Sequence, residues 1–503
     1  MPQILKLGLQ DDVLVAIQPV KAGEFLPAFG LTALSDIPAG HKLALHSLAP
    51  GHPVRKFNHV IGFTTQPVAA GEHVHTHNLA VGEVEKDYAI GVDSRQADLV
   101  GTESSAHFLG YRRPDGRVGT RNYVGILTTV NCSATVARRI AAHFTPEVLR
   151  NFPNVDGVVA LTHSTGCGIA SGSEGAAILR RVFAGYANHP NFASVLLLGL
   201  GCETNQVDEL VELMDARESI RTANIQDEGG TAATIRRGIA SVCEMLEQAN
   251  RQTRTSVPAS HLVVGLQCGG SDAYSGITAN PALGVAVDHL VRDGGTAILS
   301  ETPEIYGAEH LLTRRASRPE VAHKLLDQIR WWEDYTTQHK ATMNNNPQPG
   351  NKTGGLTTIL EKSLGAVSKG GSTALREVYL YAEQVREHGL VFMDSPGFDP
   401  VSATGQVAGG ANLICFTTGR GSVFGCKPTP SLKIASNTAL FQHMQDDMDI
   451  NCGCIVDGKE TVEEAGDAIY KEILEIASGK PTRSEIHGFG EEEFQPWILG
   501  ATL

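Results

Sequence analysis

From residue 123 onward, apolar runs of strand length recur along the chain, each followed by a stripe of helical period. Tyr123–Cys132 (YVGILTTVNC), Val158–Cys167 (VVALTHSTGC) and Ser194–Cys202 (SVLLLGLGC) are three such runs, and Leu262–Cys268 (LVVGLQC) is a fourth. Each ends in a cysteine, or a few residues before one. TVARRIAAHF, GAAILRRVFAGY and VDELVELMDA carry apolar residues at the spacing that predicts helices. Buried strands alternating with amphipathic helices predict βαβ units and largely parallel, Rossmann-like sheets. In such a sheet the C-terminal ends of all strands share one edge, where open α/β sheets bind their ligands. The pattern therefore predicts that four thiols gather on a ligand-binding edge.

Residues 1–95 read differently. DDVLVAIQPV alternates like a strand, and AGEFLPAFG, IPAGHKLAL, LAPGHPVRKF and VAAGEHVHTHN are short extended pieces broken by Gly or Pro, with no long helical pattern among them. A small β domain is expected here, followed by a polar linker at 96–108. An α/β domain is expected over 109–342, with helices through 308–340. A second α/β domain is expected over 343–503, opened by a loop dense in Asn, Pro and Gly (MNNNPQPGNKTGG). Within it STALREVYLYAEQV reads as a helix, GLVFMDSPG, NLICFTTGRG and SLKIAS as strands, and VEEAGDAIYKEILEIASGK as the closing helix.

Composition narrows the class. A chain of 503 residues with 42% hydrophobic and 19% charged residues has ample core for several domains. A net charge of −14 argues against a nucleic-acid surface, so an anionic ligand would need a local basic site. No apolar run reaches membrane-spanning length, and the N-terminus lacks the pattern of a secretion signal. Nine cysteines without small-domain disulfide spacing fit a reducing, cytoplasmic compartment. Walker, dinucleotide-binding and nucleophile-elbow motifs are missing.

Candidate chemistry concentrates at the strand ends. After Cys268 the chain reads GGSDAYSGITANP, a strand feeding a glycine-rich turn and then a helix N-terminus, which is a pocket for negative charge. Ser271, Asp272, Ser275 and Asn280 are its candidate substrate contacts. Cys132, Cys167, Cys202 and Cys268 are candidate ligands for a soft or borderline metal or an iron–sulfur cluster. Glu301 and Glu304, directly after another strand, are alternative ligands. His163, four residues before Cys167, is a candidate for proton transfer; the bland alternative is a buried histidine donating to a carbonyl. His73, His75 and His77 alternate in HVHTHN, so a strand would present all three on one side. His73 then stands as a metal ligand, with His75 and His77 as acid–base groups. Lys42 is a candidate carboxylate anchor or base, and Arg121, Lys352 and Arg420 are candidate anion contacts.

Taken together, GHKLAL, HVHTHN, DGRVGTRN, THSTGCG, GLGCE, QCGGSDAYSGITANP, PGNKTGG and TTGRG resemble the altronate/galactarate dehydratase family of sugar-acid dehydratases. The resemblance implies an N-terminal β-clip domain of the SAF type joined to α/β domains. It also implies removal of water from a hydroxylated carboxylic acid to give a 2-keto-3-deoxy acid, a requirement for Fe2+ (with an iron–sulfur cluster or Mn2+ as alternatives), and a homodimer. HVHTHN is closer to the altronate branch, whereas FPNVDGVVALTHSTGCG and MDIN are closer to the galactarate branch. A carbon–sulfur lyase branch acting on sulfolactate shares the architecture, and a non-catalytic sugar-acid-binding protein is the other alternative.

Overall fold

The computed structural model describes every residue except 1–2, 85, 102–103, 215–216 and 501–503. Short antiparallel strands build the N-terminal domain. Ile4–Leu5, Val13–Ala16, Lys42–Ala44 and His73–Val74 form one sheet, and Pro53–Lys56, His59–Thr64 and Leu79–Ala80 form another. Strand alternation divides the burial: Leu14 and Ala16 enter the domain's own core with Leu26, Ile37 and Leu43. Val13, Val54, Ile61 and Val74 face the other way and join the core of the C-terminal half. At roughly 1.5–3 kcal/mol per fully buried aliphatic side chain, this second set fastens the domain to the rest of the chain.

Two parallel sheets follow. The first contains β1 (Tyr123–Thr128), β2 (Gly157–Leu161), β3 (Phe192–Gly199) and β4 (Ile220–Asn224), in the order β2-β1-β3-β4. The second contains β5 (Val263–Cys268), β6 (Thr296–Leu299), β7 (Leu375–Tyr379), β8 (Gly389–Met393), β9 (Leu413–Thr418), β10 (Ser431–Ala435) and β11 (Ile450–Asn451). Its order is β7-β8-β6-β5-β9-β10-β11, all parallel. The chain leaves β5 toward β6 on one side and later returns to β9 on the other, so the C-terminal end of β5 is a topological switch point. Side chains of helices Glu174–Ala187 and Asp399–Ala408 share one core with residues from both sheets.

Two expectations are corrected. The boundary expected at 342/343 falls inside the seven-stranded sheet, because β5 and β6 precede it and β7–β11 follow it. STALREVYLYAEQV is not a helix. Leu375–Tyr379 is the edge strand β7, bulged between Leu375 and Glu377. Arg376 and Glu377 interrupt the apolar positions in a way that mimics helical spacing, whereas Val378 and Tyr379 favour the strand. The described residues contain no helix long and apolar enough to cross a membrane.

Candidate active site

Cys132, Cys167 and Cys202 follow β1, β2 and β3, three adjacent strands with β1 in the middle, and all three thiols are free and exposed. Their loops are hydrogen-bonded to one another. The Asn131 N–H donates to the Thr165 carbonyl at 3.0 Å, and the Asn205 N–H to the Gly166 carbonyl at 3.3 Å. Asn131 Nδ2 donates to the His163 carbonyl at 3.1 Å, and Asn205 Nδ2 to the Thr129 carbonyl at 3.3 Å. Beneath them Glu203 accepts from Thr129 Oγ1 at 2.5 Å and from the N–H groups of Leu200 and Gly201. Burial opposes its charge, but these donors outweigh burial and hold its carboxyl below the ordinary value. Beside this edge a cleft of about 740 Å3 is lined by Asn131, Thr135, Arg138, Thr162 and Thr165 from the first sheet. Pro396 and Phe398, which follow β8 of the second sheet, and residues 494–498 form its other wall.

Cys268 does not join these thiols. It ends β5 in the other sheet and is buried, with its Sγ 3.5 Å from Glu304 Oε2. The four cysteines occupy equivalent strand ends of two different sheets, so one edge cannot collect them all. Around Cys268 lies a buried charged cluster, in which ligand atoms of Cys268 and of Glu301 and Glu304, the expected alternative ligands, lie within 4.8 Å of one another. Glu304 accepts from Lys362 Nζ and Asn346 Nδ2, each at 2.6 Å. Lys369 Nζ stands 3.9 Å from Glu301. Glu301 has left-handed backbone (φ 72°), is fully buried, and neither carboxylate oxygen has a hydrogen-bond partner. Burial, reinforced by the Glu304 charge, pushes its carboxyl well above the ordinary range. Asp399 is pushed up to about 6 by burial and by Glu304. A Cβ at Gly269 would collide with the Asp399 carboxylate, so only glycine allows this approach after Cys268. The adjoining cavity is about 10 Å3, room for one water.

A third group sits where the N-terminal domain meets the second sheet. Lys42 Nζ donates to both oxygens of Glu361 at 2.9 Å and to the Gly355 carbonyl at 2.7 Å, and Lys56 Nζ adds a bond to Glu361 at 2.9 Å. All three side chains are buried. Burial lowers the Lys42 ammonium to about 8 against the pull of Glu361. Lys56 and His59 flank a two-residue hairpin turn whose central residues, Phe57 and Asn58, both have positive φ (58° and 63°). Strain at non-glycine Phe57 sits beside the charged layer.

His41, His73 and His75 bring ligand atoms within 4.8 Å of one another. The His41 Nδ1–His73 Nε2 distance is 3.0 Å. Burial lowers His73 to about 4 and His75 to about 3, so both are neutral at pH 7. The convergence does not come from strand alternation. The strand ends at Val74 and the chain turns at once, with the Asn78 and Leu79 N–H groups bonded to the His75 carbonyl. His77 is exposed, its ring 5.4 Å from that of His73.

Several candidates have structural occupations instead. His163 is buried: Nε2 donates to the Thr128 carbonyl at 2.8 Å and Nδ1 accepts the Thr165 N–H at 3.2 Å, leaving no nitrogen for proton transfer. Arg121 is buried in a bidentate pair with Glu485 at 2.6 and 2.8 Å and bonds three carbonyls, so it cannot reach a ligand. Asp272 accepts from Ser275, Ser436 and Asn437, and Asn280 joins Gly365 to Thr417. They shape the glycine-rich turn. Ser271 keeps a buried hydroxyl without a partner beside Cys268. Lys352 is on the short helix Pro349–Thr353, and Arg420 is exposed. His41, Lys56, Glu361, Lys362, Lys369 and Asp399 escaped the sequence reading. The available signal was charge inside the apolar helix ILEKSLGAVS, and a histidine directly before Lys42.

Burial also depresses His163 to about 4 and His189 to about 3. Their folded values lie below the unfolded value near 6.5, so the unfolded chain binds protons that the folded chain refuses. Stability is therefore expected to fall as pH drops from about 6.5 toward 4. Urea unfolding at pH 7, 6, 5 and 4.5 checks this, and H163Q/H189Q protein is expected to show a shallower fall across that window. An equal slope in the variant rejects the attribution.

A β domain docked on two parallel sheets, with thiols, imidazoles and carboxylates at the strand ends, defines an α/β enzyme. Three family descriptions match in succession. They are the altronate/galactarate dehydratase SAF domain over residues 2–82, the second domain of D-galactarate dehydratase/altronate hydrolase over 110–250, and the D-galactarate/altronate dehydratase C-terminal domain over 259–502. An altronate dehydratase of Bacillus subtilis (strain 168) is 34% identical over 98% of this chain and 98% of its own. A galactarate dehydratase (L-threo-forming) of Escherichia coli (strain K12) is 37% identical over 95% of this chain and 93% of its own. The beta subunit of a (2R)-sulfolactate sulfo-lyase of Chromohalobacter salexigens is 31% identical over 76% of this chain and 96% of its own. The chain belongs to the D-galactarate/altronate dehydratase family.

Proposed function

We propose that this chain is a hydro-lyase that removes water from an aldonate or aldarate such as altronate or galactarate, giving a 2-keto-3-deoxy acid. The observation carrying this reading is the set of three exposed, mutually hydrogen-bonded thiol loops beside a cleft within the usual ~300–1,000 Å3 range of small-molecule sites. Thiolates are the donors iron and iron–sulfur clusters prefer, and Cys132, Cys167 and Cys202, on loops bonded to one another, are the thiols that would hold such a group with three protein ligands. When bound, iron supplies Lewis acidity for the departing hydroxide and for charge building on the carboxylate. Mn2+ prefers oxygen donors and suits this edge poorly. The convergence of His41, His73 and His75 supports a second location for the ion. Iron retained by cysteine variants and lost from H41A/H73A protein would move it there.

The cleft walls offer what a hydroxylated acid needs. Thr135, Thr162 and Thr165 present hydroxyls to a polyol, and Phe398 and Trp497 limit water. Arg138 takes the role expected of Arg121: its guanidinium is fixed by Thr162 Oγ1 and Glu492, each at 2.9 Å, and is open to the cleft. A charged hydrogen bond contributes about 1.5–3 kcal/mol, so R138A is expected to raise KM for the sugar acid by roughly 10- to 150-fold with a smaller change in kcat. Steady-state kinetics with a homologous uncharged polyol as inhibitor check it, since that inhibitor should bind both proteins alike. Unchanged KM removes Arg138 from the carboxylate.

Keto-acid formation from altronate, galactarate and a panel of aldonates and aldarates, on anaerobic protein supplied with Fe2+, tests the function. No turnover on any of them, with sulfite released from sulfolactate, would replace the hydro-lyase by a carbon–sulfur lyase. The same preparation, run on a sizing column, tests the expected homodimer.

A further inference from the structure

We propose that the N-terminal domain carries a second divalent-cation site, formed by Asp12, His46 and His52 and suited to a borderline ion such as Zn2+, Co2+ or Ni2+. The three residues come from three segments. Asp12 precedes the strand Val13–Ala16, His46 follows Lys42–Ala44, and His52 precedes Pro53–Lys56. The first two strands are antiparallel neighbours with Val13 opposite Ala44, which brings Asp12 and His46 to the same end of the pair. The donor atoms of all three residues lie within 4.8 Å of one another.

The distances match a shared ion better than they match hydrogen bonds. His46 Nε2 stands 3.1 Å and His52 Nε2 3.6 Å from the same oxygen, Asp12 Oδ1. Ligand atoms each ~2.0–2.1 Å from a tetrahedral ion are roughly 3.4 Å apart. At 3.6 Å the second contact is too long to be a hydrogen bond, and His52 Nε2 is buried with no hydrogen-bond partner. A buried ring nitrogen left unpaired is costly, and a cation between the three groups satisfies it.

The ligands are held for this purpose. Asp12 Oδ2 accepts the Arg55 N–H at 2.8 Å, which turns Oδ1 toward the imidazoles. The Asp12 N–H donates to the Arg55 carbonyl, and its own carbonyl accepts the Leu45 N–H at 2.8 Å. The backbone of His52 is fixed at both ends by Thr64, whose Oγ1 accepts its N–H at 2.9 Å and whose N–H reaches its carbonyl at 3.1 Å. The rings of His46 and His52 meet edge to face at 6.4 Å. Two imidazoles and one carboxylate leave coordination positions open, and the His46 side chain is half exposed, so the ion can enter from solvent. An ion here would clip together the segments that carry Lys42 and Lys56 to Glu361, bracing the interface without touching the reaction.

Metal-stripped full-length protein titrated anaerobically with Co2+ tests the site. Wild-type protein is expected to bind one equivalent more than H46A/H52A protein, with the visible band of that equivalent missing from the variant. Dehydratase turnover of the variant, with iron restored, is expected to match wild type. Equal Co2+ stoichiometry in the two proteins overturns the proposal. Should the double variant fail to fold, H46Q alone, at a half-exposed position, is expected to weaken that equivalent by at least about tenfold; unchanged affinity overturns the proposal equally.

Discussion

Serine at Cys132, Cys167 or Cys202 is expected to leave the chain folded and to lower dehydratase turnover by more than the ~100-fold that loss of an outer-shell partner costs a metal site. The side chains are exposed at strand ends, so an oxygen in place of sulfur removes little packing. What it removes is a soft donor. Iron and sulfide content, the visible spectrum and keto-acid formation, measured together on each variant, check the expectation. C268S is the informative contrast. Cys268 is buried in the other sheet, and burial pushes its thiol up to about 12, so an ion bound there would have to displace its proton. Its replacement is expected to leave iron content intact. Iron content unchanged in all three exposed-thiol variants would remove them as ligands.

Glu361→Gln is expected to destabilise the docking of the N-terminal domain by ~3–5 kcal/mol, the usual consequence of leaving buried charge without its partner. Lys42 and Lys56 are no more than 1% exposed and share this single carboxylate. The loss is read as earlier proteolysis and a lower urea midpoint for the N-terminal domain. Replacing both lysines by Met in the E361Q background is expected to restore much of it. The deficit should also shrink as pH rises. Folded Lys42 already gives up its proton near 8, whereas an unfolded lysine keeps it to about 10.4. In that window the unfolded chain binds more protons, so stability increases with pH. Removing Glu361 takes away the anion that holds the proton on, which moves the window lower. A deficit that grows between pH 7 and 9 would contradict this account.

The sequence shows strand identity well and strand neighbourhood badly. Apolar runs ending at Cys132, Cys167, Cys202 and Cys268 are legible because a buried parallel strand is a local pattern. Which sheet each run joins is a long-range choice, and nothing near Cys268 reveals that β5 pairs with β9, some 150 residues later. The same limit separates Arg121 from Arg138. Both are arginines near a cysteine-ended strand, and only the position of Glu485 in the fold shows that the first is consumed. His163 reads as chemistry in THSTGC, yet its two nitrogens serve β1 and its own loop. The lysines of the charged cluster around Cys268 are hidden for the opposite reason. Lys362 sits in a helix that looks like core and Lys369 directly follows it, and both are buried because Glu304 and Glu301 meet them there.

The turn from Ser395 to Asp399 is a wall with two sides. Pro396 and Phe398 face the open cleft, while Gly397 rests on Glu304 and Asp399 approaches Gly269 within the sealed cluster. A ligand that moves this turn must also change the surroundings of Asp399, whose carboxyl titrates near 6. Thermodynamic linkage then runs in both directions: occupancy of the cleft shifts that proton's affinity, and the proton shifts cleft affinity by the same factor. For a ligand that moves this turn, acidity would enter binding through a group that the ligand never touches.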